Sequence, residues 1–272
     1  QMLRLMDSTP IPLDQIVSWA DWNGRTRGLK LHVVYDPGAD HPRCVEITPS
    51  TVNDVTPAQE VPIEAGATYV FDKAYCSYAW WTRLHDASAL FVTRQKVNAR
   101  FRATRWRPLR KRKGDGFTVI DDAEVKLVSA GKARLAIPMR RIRIRRDDGA
   151  KLTLITNDLK RSAIDIAGLY KARWQIELLF RWIKQHLKLR KFLGRSENAI
   201  RLQILAAMIA YLLLRIATRQ SRVIMQAIRF ADLIAASLFI RKPVADIDRP
   251  PKVNPSVARD RNSPDQISFC YA

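Results

Sequence analysis

From its N-terminus the chain runs through short apolar segments of strand length before turning to helical periodicity. Met2 to Met6 is a compact apolar run that meets Asp7–Ser8–Thr9–Pro10, and it predicts a strand stopping at a polar turn with Asp7 on its C-terminal edge. Arg27 to Asp36 alternates Leu29, Leu31, Val33 and Tyr35 with Lys30, His32 and Val34, and Cys44 to Thr48 follows as a third strand. Asn23–Gly24 and Pro37–Gly38 supply turn signals on either side of the second strand, so the three predict a β-meander. Asn53 to Glu60 predicts a short helix, Ala67 to Phe71 a buried strand that stops at Asp72, Tyr78 to Asp86 a helix, and Ala89 to Thr93 a strand.

The character changes from Arg94 to Asp147, where 18 Lys and Arg stand against five acids. Arg100–Phe101–Arg102, Arg105–Trp106–Arg107 and Arg141–Ile142–Arg143–Ile144–Arg145 alternate with period two, which predicts strands with one dry and one cationic face. Such residues also guard exposed strand edges, but their density favours a surface for a polyanion. Lys151 to Thr156 returns to strand, Ile164 to about Lys191 predicts one long helix, and Glu197 to Ala217 and Arg222 to Ile240 two more. Five prolines after Lys242 predict a loop or disordered tail. Strand and helix alternate as in an α/β protein. The expected organisation is a core in two parts (1–93 and 151–240), a basic β-rich insertion (94–150) and a Pro-rich tail (241–272).

The chain has 272 residues and a formal charge of +21, an excess that points to nucleic acid as partner without selecting an activity. Cys44, Cys76 and Cys270 form no CxxC pair and the four histidines are dispersed, so a zinc site or disulfide framework is not expected and a reducing compartment is. Ile204 to Leu214, the longest apolar run, is too short to span a bilayer and reads as a buried core helix; no membrane partner is expected. Gln1 opens directly into an apolar segment with no initiator methionine, and the expectation is a fragment of a longer protein.

Candidate chemistry lies on the long helix. At roughly 100° per residue, Tyr170, Arg173, Glu177 and Lys184 fall within an arc of about 60°. An acid flanked by cations and a phenol suits a site that handles metal ions and phosphates. Asp7 and Asp72, at the ends of two strands, are the acids that could join Glu177. Plainer readings exist for each: Asp7 as a turn residue, Asp72 as a helix cap, and Glu177 as the partner of Arg173 or Arg181 in a helix salt bridge. Asp14, Asp21 and Asp36 are rivals for the first position. His32 reads as a satisfied structural histidine, Trp174 and Trp182 as packing aromatics, and Trp106 as a candidate for contacting a base or sugar.

Asp7–Ser8–Thr9, Asp72–Lys73–Ala74–Tyr75 and Tyr170-x2-Arg173-x3-Glu177-x6-Lys184 resemble the three signature blocks of DDE transposases of the bacterial insertion-sequence-4 group. Phe192 to Ala199, Gln203 and Tyr211 to Arg215 also look typical of it, and the resemblance covers about residues 2 to 217. It implies an RNase H-like mixed sheet flanked by helices, with a β-rich insertion before the glutamate-bearing helix. It implies that Asp7, Asp72 and Glu177 are a catalytic triad holding two Mg2+ ions, with Mn2+ as a substitute. Tyr170, Arg173 and Lys184 would bind DNA phosphates. The implied partners are double-stranded DNA, as terminal inverted repeats and target, and a second protomer in the DNA complex. The implied setting is the bacterial cytoplasm, at the nucleoid. Two departures stand out: these residues are read as lacking the N-terminal region that usually recognises the element's ends, and Ala74 precedes Tyr75 where relatives often have Gly. The alternative is a non-catalytic, basic nucleic-acid-binding protein derived from a transposase.

Overall fold

A computed structural model describes residues 2–13, 17–24, 27–109, 112–128, 135–186 and 192–221. The chain divides into two units, Gln1–Leu213 and Leu214–Ala272, and the sheet lies in the first. Its strands are β1 (Leu3–Pro12), β2 (Gly28–Asp36), β3 (His41–Pro49), β4 (Thr68–Phe71), β5 (Leu90–Arg94), β6 (Phe101–Trp106), β7 (Lys113–Gly114), β8 (Phe117–Leu127), β9 (Met139–Arg146) and β10 (Lys151–Thr156). They form one mixed sheet in the order β3-β2-β1-β4-β5-β10-β9-β8-β6, with β7 beside β8. Only β1–β4 and β4–β5 are parallel. The helices are α1 (Val55–Glu60), α2 (Tyr78–Asp86), α3 (Ala163–Ala172), α4 (Trp174–His186) and α5 (Glu197–Ser221).

Side-chain alternation assigns the two faces. Leu5, Val70, Val92 and Leu154 point into a core with Ile166, Ile176, Phe180, Ile204 and Tyr211 of α3, α4 and α5. Met6, Phe71, Phe91 and Ile155 point the other way, into a core with Ala58 of α1 and Trp80, Trp81 and Leu84 of α2. The central strand β4 is buried along its whole length, as expected for a parallel strand covered on both faces. The meander and the alternation of strand and helix match the sequence pattern.

Four expectations need correction. First, β1 does not stop before Asp7 but runs through it to Pro12, because β2 pairs with it from Leu5↔Tyr35 to Pro12↔Gly28. Beyond Met6, among the described residues, no strand flanks its other edge. The strand therefore tolerates Pro10 and Pro12, which lack the N–H a second ladder would need. Gly28 permits the close pairing at that end: a Cβ there would stand 2.3 Å from the Ile11 carbonyl oxygen.

Second, the long helix is broken at Arg173. Bonds from the Arg173 N–H to the Tyr170 carbonyl (3.2 Å) and from the Ile176 N–H to the Arg173 carbonyl (3.1 Å) close a tightened turn between α3 and α4. No Pro or Gly marks that junction, so the apolar period reads straight through it. Third, the basic segment is β-rich but continues the main sheet, β9 pairing with β10 from Lys151↔Arg145 to Thr156↔Arg140. Fourth, α5 extends beyond the apolar run, and Glu197–Arg219 is long and apolar enough, by length and composition, to cross a membrane. Ile200, Ile204, Ala207, Met208 and Tyr211 nevertheless form a buried face with the sheet core, and Leu202, Leu205 and Ile209 are exposed. The third predicted helix and the Pro-rich tail lie outside the described residues.

The arginine-rich strands are not uniformly cationic. Ile142 and Ile144 are buried and Arg143 and Arg145 exposed, as alternation requires. Arg140, in contrast, is buried and donates from Nε and Nη2 to Asp122 (2.8 and 2.7 Å), and from Nη1 to the carbonyls of Asp158 and Arg161. This cluster ties β8 and β9 to the loop that launches α3. Removing one partner of a buried, fully bonded ion pair strands the other charge, at a cost of about 3–5 kcal/mol. Arg140→Ala should lower stability by that amount in urea unfolding, whereas Arg143→Ala, on the exposed face, should change it by less than about 1 kcal/mol.

Candidate active site

The sheet register brings the first two acids together. Met6 is the partner of Phe71 at the end of the β1–β4 ladder. Asp7 and Asp72 are thus the next residues along neighbouring parallel strands, whose spacing is about 4.8 Å. Asp7 pairs with Val33 of β2, so it sits in a strand and not in a turn, and its Oδ1 accepts the Ser8 N–H at 2.9 Å. Asp72 precedes the single 3-10 turn Lys73–Tyr75 but its side chain caps nothing there. The cap of α2 is Ser77, whose hydroxyl accepts from the Trp80 N–H. The plainer readings of both aspartates therefore fail locally.

The third acid arrives from the helical layer. Arg173, at the joint between α3 and α4, donates from Nη1 to Asp7 Oδ2 at 2.6 Å and from Nη2 to Glu177 Oε1 at 2.5 Å. The i,i+4 salt bridge considered for Glu177 is thus real, but it is one arm of a bridge that reaches β1. Arg181 does not take that role; its guanidinium lies over Trp174, 5.8 Å from the ring centroid. Tyr170 donates its hydroxyl to Asp72 Oδ1 at 3.2 Å, and its ring faces the Arg173 guanidinium at 5.7 Å. Asp7, Asp72, Glu177, Tyr170 and Arg173 therefore form one continuous cluster. Lys184 is on α4, seven residues past Glu177 and so on nearly the same helical face.

Burial sets the electrostatics. The Asp7 carboxyl is pushed up to about 6, first by desolvation and further by Glu177 and Asp72. Arg173 and the Ser8 N–H act in the opposite sense and do not overcome it. The ion pair at 2.6 Å would by itself lower this pKa, so the rise reflects first how dry the place is, with the neighbouring acids adding less. Burial works against the charge on Arg173, yet Asp7, Tyr170 and Glu177 hold its pKa above the usual guanidinium value. Burial, with Asp72, pushes the Tyr170 phenol up to about 12, which keeps it a hydrogen-bond donor.

Sequence reasoning missed two contributors. Arg94 ends β5, the parallel neighbour of β4, and its Nη1 lies 3.8 Å from Asp72 Oδ1. Its place beside a strand ending in Asp72 was a usable signal. The other is a support behind Asp7, where Ser8 Oγ and Lys30 Nζ both donate to Asp54 Oδ1 at 2.9 Å. Of the rivals, Asp36 accepts from Arg4 at 2.8 Å, Asp21 accepts from Thr51, and Asp14 lies outside the described residues. His32 is buried against Thr48 Oγ1 at 2.9 Å, and burial lowers its pKa to about 4, consistent with a structural role. Trp182 packs edge-on against Tyr211, but Trp174 is half exposed and does not belong to the core. Trp106 is exposed, beneath the Arg141 guanidinium.

Three carboxylates form a donor set that fits hard divalent cations, which take oxygen ligands. Among the described residues, however, no group of three His, Cys, Asp or Glu side chains stands ready to hold a metal ion as it is. The guanidinium of Arg173 occupies the centre that Asp7 and Glu177 define.

Comparison with known proteins gives the family. The chain belongs to the family described as the transposase DDE domain, which matches residues 1–213. It is 58% identical over 270 residues to "Putative transposase y4zB" of Sinorhizobium fredii, covering 99% of this chain and 76% of that protein. It is 34% identical over 215 residues to "Probable transposase for insertion sequence element IS5377" of Geobacillus stearothermophilus, covering 78% of this chain and 56% of that one. A piggyBac transposase solved in a synaptic complex with hairpin DNA shares the fold, with a TM-score of 0.55 at 9% identity over 95% of this chain. The chain spans 56% of that solved protein's length.

The raised pKa of Asp7 makes its charge a burden on the metal-free fold. A carboxyl whose folded pKa lies near 6, against 3.8 unperturbed, destabilises the fold when ionised. The penalty is full above pH 6 and fades as pH falls toward the unperturbed value. Asp7→Asn should therefore raise metal-free stability at pH 8 by up to about 3 kcal/mol and have little effect at pH 4. Thermal melts in chelator at the two pH values check both the sign and the window.

Proposed function

We propose that this chain is the catalytic part of a DNA transposase, cleaving phosphodiester bonds at the ends of a mobile element and joining them to target DNA. The observation that carries the reading is the pair of hydrogen bonds that Arg173 donates to Asp7 and Glu177, with Asp72 alongside Asp7 by strand register. Acids from β1, the end of β4 and α4 share one small polar site because the sheet and a helix joint bring them there.

Asp7, Asp72 and Glu177 would hold divalent metal, Mg2+ or Mn2+, which when bound would activate a water or hydroxyl and stabilise the leaving oxygen. The surrounding residues supply positioning. Tyr170 stays protonated and orients Asp72 through its hydroxyl. Arg94, Arg173 and Lys184 offer cations for the phosphates of the strand being cut. Arg143, Arg145 and Arg146 on β9 are exposed, Arg143 paired with Asp121 and Arg146 with Asp148, and they offer a surface that suits a duplex backbone read by charge. Terminal inverted repeats and target DNA are the proposed partners, with a second protomer in the DNA complex.

A second reading, a basic DNA-binding derivative without chemistry, draws on the closed ion-pair cluster and the lack of a ready metal group among the described residues. One assay separates them. On DNA carrying the element's own ends with Mg2+, the catalytic reading predicts cleavage and joining, reduced at least about a thousandfold by Asp7→Ala, Asp72→Ala or Glu177→Ala with DNA binding retained. Tyr170→Phe should cost at least about tenfold, the low end for one hydrogen bond to a charged group. Wild-type cleavage by any alanine variant removes that residue from the set, and salt-sensitive binding with no turnover by the parent chain selects the second reading.

A further inference from the structure

We propose that Arg173 is a built-in stand-in for the divalent metal: its guanidinium holds Asp7 and Glu177 until metal binds, and loading frees it to grip a DNA phosphate. The inference rests on the catalytic reading of the three carboxylates and goes beyond it by giving one residue two exclusive positions.

Four features of the cluster support an exchange. The guanidinium bonds two carboxylates through different nitrogens, at 2.6 and 2.5 Å. It thus sits between the groups a metal would join. Its seat is imperfect, because Arg173 Nε is buried with no hydrogen-bond partner. A divalent ion carries twice its charge and takes the same carboxylate oxygens. Finally, the side chain has somewhere to go. A cavity of about 700 Å³ borders the site, lined by Arg94, Arg146, Tyr170, Lys171, Arg173 and Trp174. The Tyr170 ring is already 5.7 Å from the guanidinium, a distance at which an aromatic face attracts a cation. On this rim Arg94, Arg146 and Lys171 each pair with an acid, and a phosphate-bearing strand would draw on the same cations together with the displaced arginine.

The exchange has an energetic consequence. In the metal-free protein the arginine neutralises carboxylates that would otherwise repel one another across a dry gap. Metal must displace that cation, so the free protein binds metal more weakly than its ligand set allows. DNA phosphate draws the arginine out and lowers that barrier. By linkage, metal and DNA must then strengthen each other's binding by the same factor.

The test is Mn2+ binding to the full chain without DNA, followed by electron paramagnetic resonance. Arg173→Gln should bind Mn2+ at least tenfold tighter than the parent, and Mn2+ should raise its melting temperature more. Ca2+ should strengthen DNA binding by the parent chain, and this coupling should be weaker in Arg173→Gln. Arg173→Lys keeps the charge but loses the two-pronged grip, and should fall between the two; it decides the question if the glutamine variant does not fold. Unchanged or weaker Mn2+ binding on loss of the arginine overturns the proposal. Asp7→Asn separates the two failures. If it leaves Mn2+ binding intact, the catalytic reading falls and this inference with it. If it abolishes binding while Arg173→Gln gives no gain, only the stand-in role falls.

Discussion

One guanidinium closes a separation of 166 residues, joining β1 to the joint between α3 and α4. Arg173 reaches Asp7 and Glu177 at once, and much of the first unit determines whether it can. The strand must continue past its parallel neighbour so that Asp7 projects beyond Met6. The neighbour must stop at Phe71 so that Asp72 falls alongside. The helix must break at Arg173 so that its side chain lies between the two acids it holds. Each condition has a local cause, in the β1–β2 ladder, the short buried β4, and the tightened turn between α3 and α4.

The cluster is costly to build, and the rest of the unit is organised to support that cost. Burial raises the Asp7 carboxyl despite an ion pair at 2.6 Å, so the site is a point of electrostatic strain. On the face behind it, Trp80, Trp81, Phe71 and Phe91 form an aromatic core with ring centroids 4.9 to 6.0 Å apart. On the other face α3 and α4 pack through Ile166, Ile176, Phe180 and Ile183. Rigid apolar layers on both sides hold charges that would otherwise separate or hydrate, the usual bargain between stability and function. The buried Arg140–Asp122 pair does related work in the basic strands, because its bonds to the carbonyls before α3 set where that helix begins.

Much of this was legible in the residues. The strands ending at Phe71 and near Thr93, and the helix from Tyr78 to Asp86, follow from short apolar runs bounded by polar residues, and they fall within a residue or so of the observed elements. The spacing of Tyr170, Arg173 and Glu177 marked one side of the site. What the residues hid was long-range. Asp-Ser-Thr-Pro reads as a turn, because the partners that make it strand, Val33 back to Lys30, lie further along the chain in β2. The break at Arg173 has no Gly or Pro to announce it. The basic segment looked like a separate insertion because alternation reveals strands but not which sheet they join. Arg94 was passed over because its meaning comes from a neighbouring strand. The composition of the Arg-rich strands also overstated their free charge, since Asp121, Asp122 and Glu124 pair with several of those arginines.

The central claim is that Asp7, Asp72 and Glu177 are the ligands of one divalent-metal centre. Anomalous diffraction from crystals of the chain bound to DNA and soaked in Mn2+ tests it most directly. The expected result is manganese within about 2.0–2.6 Å of carboxylate oxygens from all three residues, with the Arg173 guanidinium moved off Asp7. Manganese bound elsewhere, or an unbroken Arg173 bridge in crystals saturated with both metal and DNA, would contradict it.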